Sequence, residues 1–295
     1  MPRAVARISA ALLFVFLFST SSKTQIEKPP NERVWFAVEE RPRGQLRVEP
    51  FVIVTDGKLT PFPSECSEEL PENSGERQAA SNYLASGQTY SVLYGGTEAG
   101  EVRLGDKIPN LAAALATYEG TEKLRGKLRA LATNQEPAAF RVESRQAATR
   151  EERTEALTLA RAIFRQHGIP SEVAAKVHTD FLTRTVLEPS PQSAWIGAFT
   201  LETVGEYDLQ HNLFFIAEQG SQGLQAEFIW IRLSETLDED EAAEFVDHAD
   251  FFGDGHDEVV LRLTSTPNHR YAVYQKSADG SHWEQIFMTE PLECH

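Results

Sequence analysis

Asp247-His-Ala-Asp250-Phe-Phe-Gly-Asp254-Gly-His256-Asp-Glu258-Val-Val260 sets five carboxylates around a loop that bears two glycines and then runs straight into an apolar strand. That is the layout of a cation-binding turn of the Asp-x-Asp-x-Asp-Gly kind, in which alternate side chains supply oxygens and glycine makes the sharp bend. The strand that follows, Glu258–Thr264, lines up with Ala194-Trp-Ile-Gly-Ala-Phe-Thr200. Each is succeeded by a strand that begins with histidine, His211–Glu218 and His269–Lys276. A further strand, Gln225–Leu233, lies between the two copies, and Asp279-Gly280 turns the chain into His282–Met288. The C-terminal third, 189–295, therefore reads as an antiparallel meander built from two degenerate repeats.

The loop resembles the calcium loops of FG-GAP-like repeat proteins, on the residues Asp250-Phe-Phe-Gly-Asp254-Gly255-His-Asp-Glu258-Val-Val. The resemblance implies Asp250 as the first ligand, Asp254 as the third, the backbone carbonyl of His256 as the fourth, and Glu258 as the last. Phe252 departs from it, occupying the second ligand position, where the family carries Asp or Asn. A hard cation wants six to eight oxygens, so the lost one predicts weak calcium binding, unless Asp247 or Asp257 swings inward. In the first copy Glu188-Pro-Ser-Pro-Gln-Ser replaces the loop, without carboxylates at the later positions, and no metal is expected there. The other reading is a purely structural turn that has outlived its metal. Zinc held by His248, His256 and nearby carboxylates fits less well, because the two histidines stand eight positions apart on a loop.

Upstream, strand signals dominate 33–144. Val34–Val38 begins the first strand. Leu46–Thr55 faces Lys58–Phe62 across Asp56-Gly57, a hairpin pair, with Pro50 marking an edge or bend. Thr89–Tyr94 and Gly100–Leu104 flank Gly95-Gly96. Glu76–Ser86 reads as a short helix. Over 124–133 alternation favours a strand, with helix as the alternative. The expectation is a small β-barrel or curled sheet of five to seven strands. A helical pair forms the connector, 145–188. Thr149-x-x-Glu152 is a capping box ahead of Ala156, Leu159, Ala160, Ile163 and Phe164 at helical spacing, and Gly168 and Pro170 end that run. Ser171 then caps a second helix over Val173, Val177 and Phe181. The predicted fold class is α+β, rich in β. The tryptophans 35, 195, 230 and 283 all fall in strands and are expected in the core.

Arg3 and Arg7, the apolar run Ile8–Phe18 and the small residues Ser19–Ser22 form a secretory signal peptide pattern over 1–22, with a flexible leader over 23–32. The apolar run is short of a membrane span. Cleavage would remove two arginines and no acids, taking the formal charge from −16 to −18. So acidic a chain is repelled by nucleic acid and by anionic membrane surfaces. An exported chain with two cysteines, Cys66 and Cys294, can form one bridge tying the C-terminus to the N-terminal half. No Gly-x-Ser-x-Gly, Walker, His-Glu-x-x-His or Cys-x-x-Cys motif occurs, and pairs such as Glu39-Glu40 carry no specificity in so acidic a chain. The sequence thus predicts an exported, non-catalytic binding or structural module, periplasmic or extracellular, with an unidentified protein or polymer partner and without nucleic-acid or integral membrane association. The alternative is a hydrolase of an envelope or extracellular polymer whose active site follows no motif.

Overall fold

Strict alternation in the N-terminal strands sends one set of side chains inward and the other outward. In β1 (Glu32–Glu40), Val34, Phe36 and Val38 enter one core, while Trp35 and Ala37 enter another. The computed structural model describes residues 32–42, 44–63, 81–108, 112–120, 129–135, 145–203, 209–221, 223–235, 241–265 and 268–291. The expected signal peptide, the leader up to residue 31, Cys66 and Cys294 lie outside the described residues, as do 76–80 and 124–128.

With β1 in the first sheet are β2 (Leu46–Thr55), β3 (Lys58–Pro61), β4 (Thr89–Tyr94), β5 (Thr97–Lys107), β6 (Ala114–Gly120) and β7 (Arg129–Thr133). Its order is β1-β7-β4-β5-β6-β2-β3, and a further pairing of β1 with β2 closes six of these strands into a barrel. The Asp56-Gly57 turn is as expected. Both residues have positive φ, 51° and 73°, and Thr55 faces Lys58 across it. Pro50 sits beside a bulge where the register slips between Trp35 and Phe36, which reconciles a proline with a paired strand. The barrel interior is filled by Val34, Phe36, Val48, Tyr90, Val92, Val102 and small alanines of β6 and β7.

Helix α1 (Arg150–Gln166) begins on the expected capping box. The Glu152 amide donates to Thr149 Oγ1 at 3.3 Å, and the Thr149 amide donates to Glu152 Oε2 at 2.6 Å. The second helix is shorter than the spacing predicts. Helix α2 spans only Ser171–Ala174, and Phe181 belongs to a strand, β9 (His178–Val186). The β-branched Thr179, Thr183, Thr185 and Val186 supply the reason: this segment pairs along Ser193–Phe199 and gains more as a sheet than as a helix. The segment 145–188 accordingly contributes two strands, β8 (Gln146–Ala147) and β9, besides its helices.

Two antiparallel sheets follow. The first, in the order β12-β11-β10-β9-β8, is completed by β10 (Ser193–Thr203), β11 (Leu209–Gly220) and β12 (Gly223–Arg232). The second, in the order β13-β14-β15-β16, comprises β13 (Ala242–Ala249), β14 (Glu258–Ser265), β15 (Asn268–Lys276) and β16 (Trp283–Met288). The strands aligned in the sequence, β10–β11 and β14–β15, are the middle pairs of two four-stranded up-and-down meanders, β9–β12 and β13–β16.

The layers stack as helix, first meander, second meander, barrel. Helix α1 covers Trp195, Phe199, Leu201, Leu213 and Phe215. The opposite face of the same strands, Ala194, Ile196, Phe214 and Ile216, packs on Phe245, Val259, Leu261, Leu263 and Tyr274. The far face of the second meander, Val246, Val260, Tyr271 and Val273, packs on the outside of the barrel through Trp35, Phe51, Val54 and Leu131. The second meander is thus covered on both faces.

That barrel contact also buries a charge network. Glu49 accepts from Tyr271 Oη at 3.0 Å and from His269 Nε2 at 3.1 Å, and Arg47 Nη2 lies 2.9 Å away. Burial pushes the Glu49 carboxyl up, but the His269 hydrogen bond and the Arg47 charge outweigh it and hold it below the usual range. Glu49→Ala leaves Arg47 and His269 without their acceptor. It is expected to cost about 3–5 kcal/mol in denaturant unfolding; a loss below about 1 kcal/mol would show that the network does not hold the barrel to the sheet.

Candidate functional site

The end of β13 and the turn after it, Asp247–Asp257, lead into β14, and the carboxylates of this stretch all turn to donors within the protein. Asp250 Oδ1 accepts from the amides of Gly253 and Asp254 at 2.6 and 3.1 Å, and Oδ2 accepts from Gly255 at 2.8 Å. Asp254 Oδ1 accepts from the His256 amide at 2.9 Å. Gly253 and Gly255 both have positive φ, 76° and 86°, which a side chain would resist. Glu258 lies behind the loop, fully buried. Its Oε2 accepts from the Phe251 amide at 2.7 Å and its Oε1 from Gln275 Nε2 at 2.9 Å. Phe251 is buried as well and stacks on Trp35 of the barrel, ring centroids 4.1 Å apart and 9° from parallel. Phe252 packs at the edge of the same cluster. Phe251, with Phe252 at the position where the ligand pattern breaks, therefore fastens the loop to the barrel.

The two residues that could have compensated for Phe252 are committed elsewhere. Asp247 accepts from the Gly95 amide at 3.0 Å and the His248 amide at 3.0 Å, with Arg145 Nη1 at 3.6 Å. Asp257 Oδ2 accepts from the Glu188 amide at 3.0 Å and lies 3.0 Å from His248 Nδ1, while the Asp257 amide donates to the Glu188 carbonyl at 2.9 Å. The degenerate first loop thus docks on the second. His248 Nε2 in turn lies 2.8 Å from Thr185 Oγ1. Hydroxyl, imidazole and carboxylate stand in the order of a hydrolytic triad, but Thr185, His248 and Asp257 are buried at 0%, 1% and 3% exposure, so in this conformation the hydroxyl is closed to a substrate. Both ring nitrogens of His248 are thus engaged within the fold, whereas the exposed His256 ring lies beside Asp254 at 3.3 Å.

Against a hard cation the donor set fits only in part. Asp250 and Asp254 stay at the exposed mouth, while Glu258 faces inward and position 252 brings no side-chain oxygen. Among the described residues, no group of three or more His, Cys, Asp and Glu side chains is placed to hold a metal.

A second feature lies where the barrel and both meanders meet. A cavity of about 600 Å³ opens there, walled by Glu39, Glu40 and Arg129 from the barrel, Asp180 and Thr200 from the first meander, and Glu244 from the second. Its apolar wall includes Phe181, Ala198 and Phe245. A polar ladder runs along it: Thr200 Oγ1 donates to Asp180 Oδ2 at 2.6 Å, and Gln210 Nε2 donates to Asn212 Oδ1 at 3.0 Å. Arg145 closes one end, its guanidinium 4.5 Å from the ring centre of Tyr94 and 4.9 Å from that of Phe245.

No known relative emerged. The family models, the curated proteins and the solved structures gave no match to this chain. No helix among the described residues is long and apolar enough to cross a membrane.

The sequence marks Asp250, Asp254, His256 and Glu258 as one stretch, of which Glu258 turns inward, and it does not group the residues of the cavity. Glu39-Glu40 looked like any acidic pair, and Asp180 fell in a stretch read as helix. The one available signal was a charged pair at the end of an otherwise apolar strand, directly after Val38.

Glu258 gives the loop a measurable signature. Burial, then the charges of Asp250, Asp254 and Asp257, push its carboxyl from 4.5 up to about 8 despite the Phe251 hydrogen bond. Between those values the folded state holds a proton that the unfolded state has lost. The group's stability contribution is therefore complete below about pH 4.5 and falls as pH rises through about 8. In chelator, Glu258→Gln is expected to gain stability over the wild type by up to about 1.4 kcal/mol per pH unit across that window. Parallel pH profiles for the two proteins would contradict the assignment.

Proposed function

We propose that the chain is an exported, non-catalytic binding module, acting in the periplasm or outside the cell on a protein or polymer partner. Its binding site is the cavity between the barrel and the two meanders. The observation that carries this reading is the cavity itself: about 600 Å³, within the range of small-molecule and side-chain pockets, and lined by apolar side chains together with a few polar groups. Export is supported by the residue pattern over 1–22, and the acidity of the chain argues against a nucleic-acid partner.

The barrel and two meanders act in this reading as a rigid frame. The Asp247–Asp257 loop serves the frame first, by holding the second meander to the barrel through Phe251 and to the first meander through Asp257. Calcium is its subsidiary ligand, bound weakly by Asp250, Asp254 and the His256 carbonyl, with Glu258 contributing only if it turns outward.

Two measurements test these statements. In ligand-observed NMR with a fragment library, hits should compete for one site and be lost in Ala198→Trp, whose fold is verified by its melting transition. Hits indifferent to Ala198→Trp would overturn the cavity assignment, and release of soluble fragments from an envelope polymer by the purified protein would overturn the non-catalytic reading. For calcium, a thermal melt against chelator is expected to show no shift at about 0.1 mM and a small one near 10 mM. A shift of several degrees at the lower concentration would mean that a complete cage forms.

A further inference from the structure

The charge balance inside the cavity names a class of ligand, an inference that rests on the cavity being the binding site. Glu39, Glu40, Asp180 and Glu244 line it, against the guanidinium groups of Arg129 and Arg145. Both guanidiniums are spent within the protein. Arg129 Nη2 lies 2.9 Å from Glu244 Oε1. Arg145 Nη1 donates to the carbonyls of Arg129 and Val246 at 3.2 and 3.4 Å and lies 3.6 Å from Asp247, while the face of its guanidinium is covered by aromatic rings. Glu39 is likewise matched, by Arg262 Nη1 at 3.1 Å.

Glu40 and Asp180 are left over. Glu40 Oε2 is buried and accepts no hydrogen bond among the described residues. Asp180 accepts from the Thr200 hydroxyl, and its other oxygen lies 3.3 Å from the exposed His178 ring, but no Lys or Arg of the described residues reaches it. That Glu40 oxygen is itself enclosed by protein and Asp180 is exposed, so a ligand meets the remainder of two carboxyl groups that have no Lys or Arg partner among the described residues, and a charged donor matches these most fully. An anionic ligand would meet these two carboxylates with no spare guanidinium to offset them. An inorganic cation would leave Phe181, Ala198 and Ala243 uncovered, and the described residues hold no metal-ligating cluster.

We infer that the cavity takes an organic cation: an ammonium or guanidinium group on a short apolar stem. The charged head lies between Glu40 and Asp180, the stem packs along Ala198, Ala243 and Phe181, and Thr200 and Asn212 face its polar substituents. The same chemistry is offered by a free amine and by a lysine or arginine side chain of a partner, and the formal charge of −16 on the whole chain draws either toward it.

Isothermal titration on the full chain separates the outcomes. Butylamine, 1,5-diaminopentane and agmatine serve as free cations, N-acetyl-lysine methylamide and N-acetyl-arginine methylamide as side-chain mimics, and butanol and butyrate as neutral and anionic isosteres. Cations are expected to bind at least about tenfold more tightly than either isostere. Glu40→Gln with Asp180→Asn should remove that preference while leaving the melting transition in place, and Glu40→Gln alone should remove part of it. Preference for the free amines points to a small-molecule ligand, and preference for the blocked amino acids to a protein partner. If butanol binds as tightly as butylamine and the double variant changes nothing, the cavity reading stands and the cation inference falls. If no probe binds and fragment hits ignore Ala198→Trp, both fall.

Discussion

The second meander has no free face, so the polar groups its strands and loops carry inward must find their partners within the fold. Barrel and first meander press on it from opposite sides. Asp247, His248, Asp257 and Glu258 all lie in that interior. Each unpaired group there would cost on the order of 1–3 kcal/mol, and the structure answers with donors drawn from all three layers. Gly95 comes from the barrel, Thr185 and Glu188 from the first meander, and Phe251 and Gln275 from the second. The same hydrogen bonds that satisfy these groups fix the positions of the layers, and the layers in turn shape the cavity between them.

What was legible in the sequence followed from local rules. The Asp56-Gly57 hairpin, the Thr149/Glu152 capping box, the helical stripe ending at Phe164 and the repeated strand pairs each depend on residues close in the chain, and the structure contains them all. The barrel, the first helix and the C-terminal antiparallel strands are present as the sequence predicted. The second helix was misjudged because Val173, Val177 and Phe181 recur every four residues, a spacing that helix and strand both tolerate over so short a run. Tertiary pairing with β10 decided it.

The site was legible only in its ligand types. Spacing placed Asp250, Asp254 and Glu258 on one loop, but it could not say that Glu258 points inward to the Phe251 amide or that Phe251 stacks on a tryptophan more than two hundred residues earlier. The cavity was out of reach for the same reason. Glu40, Asp180 and Glu244 come from three separate sheets, and nothing in their neighbours along the chain marks them as a set. Long-range packing made both features.

The central claim is that the Asp247–Asp257 loop holds its shape through its own carboxylates and serves to join the layers. Amide hydrogen exchange in chelator tests this most directly, because it reads the individual bonds. The account predicts that the Phe251 and Gly95 amides are protected to nearly the level of global unfolding, with Gly253 and Gly255 protected to a lesser but measurable degree. Free exchange at Phe251 and Gly95 in chelator, with protection appearing only when calcium is added, would contradict it.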